Sequence, residues 1–233
     1  MRGHHPAAAI QTITERGHNK APMTAEGKIS NYEKMKDDAA AAFLRFDQEE
    51  MIRKFALEHD KMYLYICFAG KRYRISRTTG AVSRSDAPFQ PGSYNEVMTI
   101  YDVLCHSKAD CRLAGEWVNV GSLSAIQGGA LAKGSNFFQN AGAYFAGKSA
   151  ALACACKALQ GRETKPGNVA YELKLFPFLP LVLRFWEADE DFPASLQIFV
   201  DRNILAYMHY ETLMFALTHL LSQMRCECEK LAR

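Results

Sequence analysis

The feature that most constrains the fold of this 233-residue chain is a series of three apolar, β-rich segments near its C-terminal end. They are VAYELKLF (169–176), LPLVLRFWEA (179–188) and SLQIFVD (195–201), and Pro177, Pro180 and Pro193 punctuate them. Connections this short join antiparallel strands, because a parallel crossover needs a dozen or more residues. The sequence therefore predicts antiparallel pairing, and an α+β fold rather than a doubly wound sheet.

Helical and turn patterns complete the predicted architecture. An alanine-rich helix is predicted over 31–59 with a break near Asp47, a strand meander over 62–84, and a helix over 94–107 capped by Ser93 and Glu96. Further helices are predicted over 136–160 and from about Tyr210 to Leu231. We expect a disordered tail over 1–30 and a single α+β domain over 31–233. Its mainly antiparallel sheet should have about five to six strands, with about four helices packed against it.

Composition excludes several functional classes. The net charge of +3 is too small to indicate binding to nucleic acid or to an anionic membrane. No apolar run approaches the ~20 residues that a membrane-spanning helix needs, and the start of the chain has no signal-peptide core. The odd count of seven cysteines indicates reduced thiols. We therefore predict a cytoplasmic protein with no nucleic-acid or membrane partner.

Candidate metal or acid–base residues occur in DRNILAYMHYETL (201–213). Asp201, His209 and Glu211 supply carboxylate and imidazole groups, which suit a divalent metal or proton transfer if burial shifts their pKa values. The structural alternative is that Asp201 belongs to a turn while Glu211 complements the dipole of the last helix. Two other histidines, His59 and His106, fall at predicted helix ends, where a cation also favours the dipole.

A second acidic segment, FWEADEDFPASL (185–196), lies between two predicted strands. It is open to interpretation as a solvated turn, a metal site or an acid–base site. The strand over 195–201 separates it from Asp201 by about seven residues, or ~23 Å, which argues against one site built from both segments. We favour a structural role, in which Asp189 or Glu190 accepts backbone N–H bonds while Trp186 and Phe192 anchor the turn to the core.

Glycine and cysteine patterns give weaker signals. IQGGALAKGSN (126–136) lacks the spacing of a phosphate-binding loop, although Gly128 and Gly129 would allow backbone amides to approach an anion. The cysteine pairs 154/156 and 226/228 fall in predicted helices, where positions i and i+2 diverge by ~200°. Packing within the helices is the favoured interpretation, and a shared zinc or iron–sulfur site is the alternative.

Two blocks of this sequence resemble a prokaryotic family known only as domain of unknown function 3786. The resemblance covers roughly residues 35–225 and is carried by Trp186, Asp189, Glu190, Phe192, Pro193, Asp201 and Glu211, and by Gly115, Trp117, Ser122, Leu123, Gly128 and Gly129. The family has no established activity. The resemblance implies a link to anaerobic corrinoid and one-carbon metabolism, because some relatives accompany iron–sulfur modules. No cysteine precedes Cys67, so we expect no cluster-bearing N-terminal module here.

The leading functional prediction is a domain that binds a small molecule or cofactor of unknown identity. Its pocket would combine the 115–129 loop with the acidic segments 185–193 or 201–211, and its candidate binding residues are Trp117, Asn119, Trp186, Asp189, Glu190, Asp201 and Glu211. The alternatives are a metal-dependent hydrolase that uses Asp201, His209 and Glu211, and a non-catalytic interaction domain. The sequence leaves the oligomeric state open.

Overall fold

A computed structural model describes residues 31–87, 90–126 and 135–231. The helices are α1 (Asn31–Phe43), α2 (Gln48–Phe55), α3 (Tyr94–His106), α4 (Val120–Ile126), α5 (Ser135–Phe145), α6 (Ser149–Ala158) and α7 (Tyr210–Leu231). The strands are β1 (Glu58–His59), β2 (Tyr63–Phe68), β3 (Lys71–Ser76), β4 (Val82–Arg84), β5 (Trp117–Asn119), β6 (Arg162–Glu163), β7 (Val169–Phe176), β8 (Leu179–Trp186) and β9 (Ser195–Asp201). The predicted tail over 1–30 and the Gly128–Gly129 loop lie outside the described residues.

The strands form two sheets, and every pairing within them is antiparallel. The first sheet has the order β1-β2-β3-β4, and the second has the order β5-β9-β8-β7-β6. The predicted α+β class and antiparallel pairing are therefore confirmed. The strand count was too low, because nine strands occur in the described part of the chain and four of them have only two or three residues. Segments that short carry no readable period of two.

Two of the predicted long helices are interrupted. The expected break near Asp47 is confirmed, since its side chain caps α2 by accepting the backbone N–H groups of Glu49 (2.9 Å) and Glu50 (3.1 Å). The single helix predicted over 136–160 is wrong. It is divided into α5 and α6 at Gly147, whose φ of +71° lies in the left-handed region. His59 likewise lies in β1 rather than at a helix end.

The two sheets share one cluster of buried side chains. The backbone N–H of Ala69, in the β2–β3 turn, donates to the carbonyl of Leu175 in β7 (2.8 Å). Next to this contact the rings of Phe68 and Phe176 stack with centroids 5.1 Å apart. The helix α7 packs against α3 and α6 and contributes an apolar stripe that includes Leu213, Leu217, Leu220 and Met224. The stripe predicted for the last helix is thus confirmed as part of the core.

A close backbone approach joins α1 to the turn before β4. Gly80 has a φ of +75°, and a Cβ atom placed there would lie 2.6 Å from the carbonyl oxygen of Ala40 in α1. The Gly80 carbonyl in turn accepts a hydrogen bond from the hydroxyl of Tyr101 in α3. Because three elements meet there, we infer that this glycine fixes how α1 packs on the first sheet.

Within the described ranges, no helix combines the length and the apolar character needed to cross a membrane.

Candidate functional site

A cleft of about 490 Å³ lies where β8 ends and β9 begins. Apolar groups on its walls come from Trp186, Phe192 and Leu196, and polar groups come from residues that include Ser195 and Gln197. Trp186 pairs with Ser195 across the two strands, so the register of the sheet sets one side of the cleft. The acidic turn over 187–193 forms the other side.

The turn that borders the cleft is organised by Asp189. Its Oδ1 accepts the backbone N–H groups of Asp191 (3.0 Å) and Phe192 (2.8 Å), and its own N–H donates to the Phe192 carbonyl (3.0 Å). The prediction that Asp189 accepts backbone N–H bonds in this turn is confirmed, while Glu190 is exposed. The prediction that Phe192 anchors the turn to the core is wrong, because 70% of its surface is exposed.

Glu187 connects the cleft to the junction between α5 and α6. Its carboxylate accepts the Ser149 hydroxyl (2.6 Å) and the Gly147 backbone N–H (2.8 Å). These two bonds, that from Ser149 first, hold the pKa of Glu187 below its usual value. The carboxylate is thereby bonded to groups of the chain itself, and it positions the junction between α5 and α6.

Arg184 lies beside the cleft on the same face of the second sheet. It is paired with Gln197 across β8 and β9, and its guanidinium carbon lies 4.6 Å from the ring centroid of Phe199. The Nε atom is buried and has no hydrogen-bond partner among the described residues. A buried guanidinium donor without a partner is costly, and Arg184 itself is not among the residues that line the cleft.

Asp201, a predicted binding and metal residue, is fully occupied by the backbone. Its carboxylate accepts N–H groups from Ala114 (2.9 Å), Gly115 (2.8 Å) and Asn203 (2.8 Å), and only 3% of the residue is exposed. These three bonds fasten the segment before β5 to the end of β9. The arrangement matches the structural alternative, in which Asp201 organises a turn.

The other predicted metal residues lie apart from that carboxylate. The Nδ1 atom of His209 is 2.7 Å from Oδ1 of Asp102, a residue of α3. Glu211 is exposed in the first turn of α7. In the parts of the chain that the structure describes, no group of three His, Cys, Asp or Glu side chains is arranged to hold a metal ion. The Asp201, His209 and Glu211 set is therefore not assembled as predicted.

Trp117 and Asn119 lie on the edge strand β5, away from the cleft. Trp117 pairs with Asp201 at the far end of β9, and 43% of its surface is exposed. The Asn119 side chain accepts the Gly121 N–H (2.8 Å) at the start of α4. The expectation that β9 separates the acidic turn from Asp201 is confirmed. The predicted pocket that combines Trp117 and Asn119 with the acidic turn is not formed, because neither residue lines the cleft.

The cysteine pairs diverge as their helical spacing predicts. Cys156 and Cys228 are buried, whereas Cys154 and Cys226 are exposed. Burial raises the pKa of Cys156 to about 12. Packing within the helices therefore accounts for one member of each pair, as the favoured interpretation required.

Comparison with known families gives a match that spans most of the chain. The model described as domain of unknown function (DUF3786) matches residues 47–224, a range that includes both the cleft and the Asp102–His209 contact. The chain belongs to the DUF3786 family. No curated protein and no solved structure matches this chain.

The region matched by the DUF3786 model contains a candidate functional contact, between Asp102 and His209, that the sequence did not reveal. Asp102 lies within an apolar helix, next to buried residues such as Val103 and Leu104. Its acidic side chain among apolar neighbours is the feature that the sequence displays. Its partner His209 is 107 positions away, and no local pattern reports such a contact. An acidic residue inside an apolar run was the one available signal.

A buried polar network also links the first sheet of this DUF3786 domain to α3 and α7. The Tyr73 hydroxyl donates to the Glu96 carboxylate, which also accepts the Ser93 N–H in the predicted capping box. The Nε2 of His219 lies 3.6 Å from the same carboxylate, and its ring stacks on Phe68. Burial lowers the pKa of His219, and attraction to Glu96 opposes this effect only in part.

This lowered pKa predicts a loss of stability in mild acid. The unfolded chain takes up a proton at His219 near pH 6.5, whereas the folded protein resists it, so stability present above that pH is lost as the pH falls. His219→Phe keeps the ring stack and removes the proton site. Between about pH 7 and pH 5, the free energy of unfolding measured with denaturant should then fall less steeply in the variant than in the wild type. The two slopes should differ by at most about 1.4 kcal/mol per pH unit. Equal slopes in both proteins would contradict the assignment.

Proposed function

We propose that this DUF3786 domain binds a small, flat organic ligand in the cleft between the Asp189 turn and the start of β9. The observation that carries the proposal is the cleft itself, whose volume of about 490 Å³ falls within the range of about 300–1,000 Å³ typical of ligand pockets. The ligand-binding class was the leading prediction from the sequence. The cleft supports this prediction. Residues of the 185–193 segment line it, whereas residues of the 201–211 segment do not.

The exposed rings indicate what kind of ligand the cleft would accept. Phe192 has the largest exposed fraction, 70%, among the exposed large apolar side chains of the described residues, and Trp186 is half-buried beside it. Aromatic faces in this position favour a planar partner through stacking and apolar burial. We therefore infer a ligand with an aromatic or conjugated ring system.

The charged groups around the cleft do not favour a negative charge on that ligand. Glu187 and Asp189 use carboxylate oxygens within the protein, and Glu190 and Asp191 are exposed in the same turn. Arg184 is not among the residues that line the cleft. Because the nearby charges are carboxylates, a planar ligand without a negative group fits best.

A link to anaerobic corrinoid or one-carbon metabolism stays a prediction from the family resemblance. A corrinoid macrocycle with its side chains is larger than this cleft, so it would rest against the cleft rather than enter it. A flavin, with its conjugated ring system, matches the inferred planar shape more closely. Both belong in the first binding screen, together with haem and a simple aromatic amine.

Binding can be followed through the fluorescence of Trp186. The chain has two tryptophans, so Trp117→Phe leaves Trp186 as the one reporter. We expect at least one of the four probes to change its emission in a saturable way and to raise the melting temperature. Four probes without a saturable change would argue strongly against ligand binding in the cleft.

A second variant tests whether the cleft is the place of binding. Phe192→Ala should reduce the affinity of the bound probe about tenfold, because it removes an exposed stacking surface, while the free energy of unfolding changes by less than about 0.5 kcal/mol. Met62→Ala is the matched control, since Met62 is also an exposed apolar side chain, at 53%, but lies just before β2. An equal loss of probe affinity in both variants, or no loss in either variant, would place binding elsewhere.

A further inference from the structure

Two exposed imidazoles meet where α3 ends and α7 begins. His106 is the last residue of α3, and His209 directly precedes α7. Their ring centroids are 5.9 Å apart, with the ring planes at 63°. Both residues are exposed, and 66% of the His209 side chain is accessible to solvent. This pair is separate from the cleft and has no part in the function proposed above.

Asp102 holds His209 in a defined orientation. One carboxylate oxygen lies 2.7 Å from the Nδ1 atom of His209, and the other accepts its backbone N–H at 2.8 Å. The Asp102 side chain is only 9% exposed, so the histidine is held from a rigid position within α3. A carboxylate partner accepts a hydrogen bond from the Nδ1–H group, which keeps the ring proton on Nδ1 and leaves the Nε2 lone pair free.

His106 is constrained from the other side. The ring of Phe46, just before α2, meets it edge to face, with centroids 5.5 Å apart and an interplanar angle of 89°. His106 also follows Asp102 by one helical turn, which places both residues on the same face of α3. The two imidazoles are therefore fixed near each other by separate contacts.

We propose that His106 and His209 together bind one divalent transition-metal ion, with Asp102 as the residue that positions His209. Imidazole nitrogens coordinate zinc at about 2.0–2.1 Å, which sets the ring centroids of two ligands on one ion about 5–6 Å apart. The observed 5.9 Å matches this separation. Zinc, nickel and copper suit imidazole ligands. No third side chain of the described residues completes the set, so water fills the remaining positions.

Cobalt(II) titration of the full chain tests the site, because its visible spectrum distinguishes nitrogen and oxygen ligands from thiolates. We expect a saturable d–d spectrum without a thiolate charge-transfer band. His106→Gln and His209→Gln should each weaken cobalt binding about tenfold or more, and His59→Gln should leave it unchanged. His59 is the matched control because it is also exposed, in β1. The N-terminal histidines His4, His5 and His18 remain in every variant.

Three outcomes would overturn the proposal. The first is a wild-type affinity for cobalt in His106→Gln or His209→Gln. The second is a loss of cobalt affinity in His59→Gln as large as in those variants. The third is a strong thiolate charge-transfer band, which would report cysteine ligands. Asp102→Asn tests the positioning role: with both imidazoles kept, the affinity should fall about 10–100-fold. A folded Asp102→Asn protein with wild-type affinity would remove Asp102 from the site. If that variant fails to fold, the two exposed histidine variants still decide the outcome.

Discussion

Replacing Asp201 by alanine is expected to lower the free energy of unfolding by about 3–5 kcal/mol, a large effect for one residue. The variant leaves the backbone N–H groups of Ala114, Gly115 and Asn203 without their acceptor. Hydrogen bonds to a charged group contribute about 1.5–3 kcal/mol each, and water can replace only part of this because Asp201 is 3% exposed. Equilibrium denaturation in guanidinium chloride gives the measurement.

Asp189→Ala is the matched control for this prediction. Asp189 also accepts two backbone N–H groups, but it does so in an exposed turn, where water takes over the bonds. Its replacement should cost less than about 1 kcal/mol. Asp201→Asn should fall between the two, because the amide keeps one acceptor oxygen. If Asp201→Ala unfolded no more easily than Asp189→Ala, Asp201 would not be the structural residue described here, and a role in binding would again be open.

Gly80→Ala is expected to destabilise the protein by about 2–5 kcal/mol. A left-handed backbone costs an alanine about 1–2 kcal/mol, and the new Cβ would lie 2.6 Å from a backbone oxygen in α1. Forcing those backbones apart adds about 1–3 kcal/mol. The same displacement strains the hydrogen bond from Tyr101 to the Gly80 carbonyl. Denaturant unfolding measures the total, and amide hydrogen exchange in α1 should show earlier opening of that helix.

Gly115→Ala separates the two contributions. Gly115 has nearly the same φ, +74°, yet a Cβ atom placed there meets nothing within 4 Å. Its substitution should therefore lower the free energy of unfolding only by the cost of a left-handed backbone, about 1–2 kcal/mol. Amide hydrogen exchange in α1 should be unchanged. Equal destabilisation by the two substitutions would mean that the contact between Gly80 and α1 has no energetic weight.

The parts of the fold that could be predicted are those that leave a local signal. The strands β7, β8 and β9 could be predicted because they are short apolar runs with prolines near their ends. The break at Asp47 could be predicted because an N-cap uses a short polar side chain. The division between α5 and α6 was missed, since the segment has two glycines, and the residue type alone does not tell Gly142, which lies within α5, from Gly147, which ends the helical run. The backbone turn there is held by Glu187, 40 positions away, and a local pattern carries no information about such a partner.

The candidate sites divide in the same way. The role of Asp189 could be predicted because an aspartate beside a proline-marked turn bonds to nearby N–H groups. A turn at Asp201 was one of the alternatives that the sequence offered, and the bond from Asn203 fits that turn. The bonds from Ala114 and Gly115 to Asp201, and the contact of His209 with Asp102, could not be predicted, because sheet pairing and helix packing bring these partners in. Only the tertiary contacts show that one carboxylate is already occupied and that the histidine is oriented by a different acid.

The short outer strands of both sheets have a consequence for how this protein behaves at high concentration. The edges are β1 and β4 in one sheet and β5 and β6 in the other, each only two or three residues long. Charged residues occupy several of these positions, among them Glu58, Arg84, Arg162 and Glu163. Edges of this kind give a neighbouring chain few unpaired backbone groups to join, and charge there discourages strand addition. The longer apolar strands that would otherwise seed aggregation are thus the inner strands of each sheet.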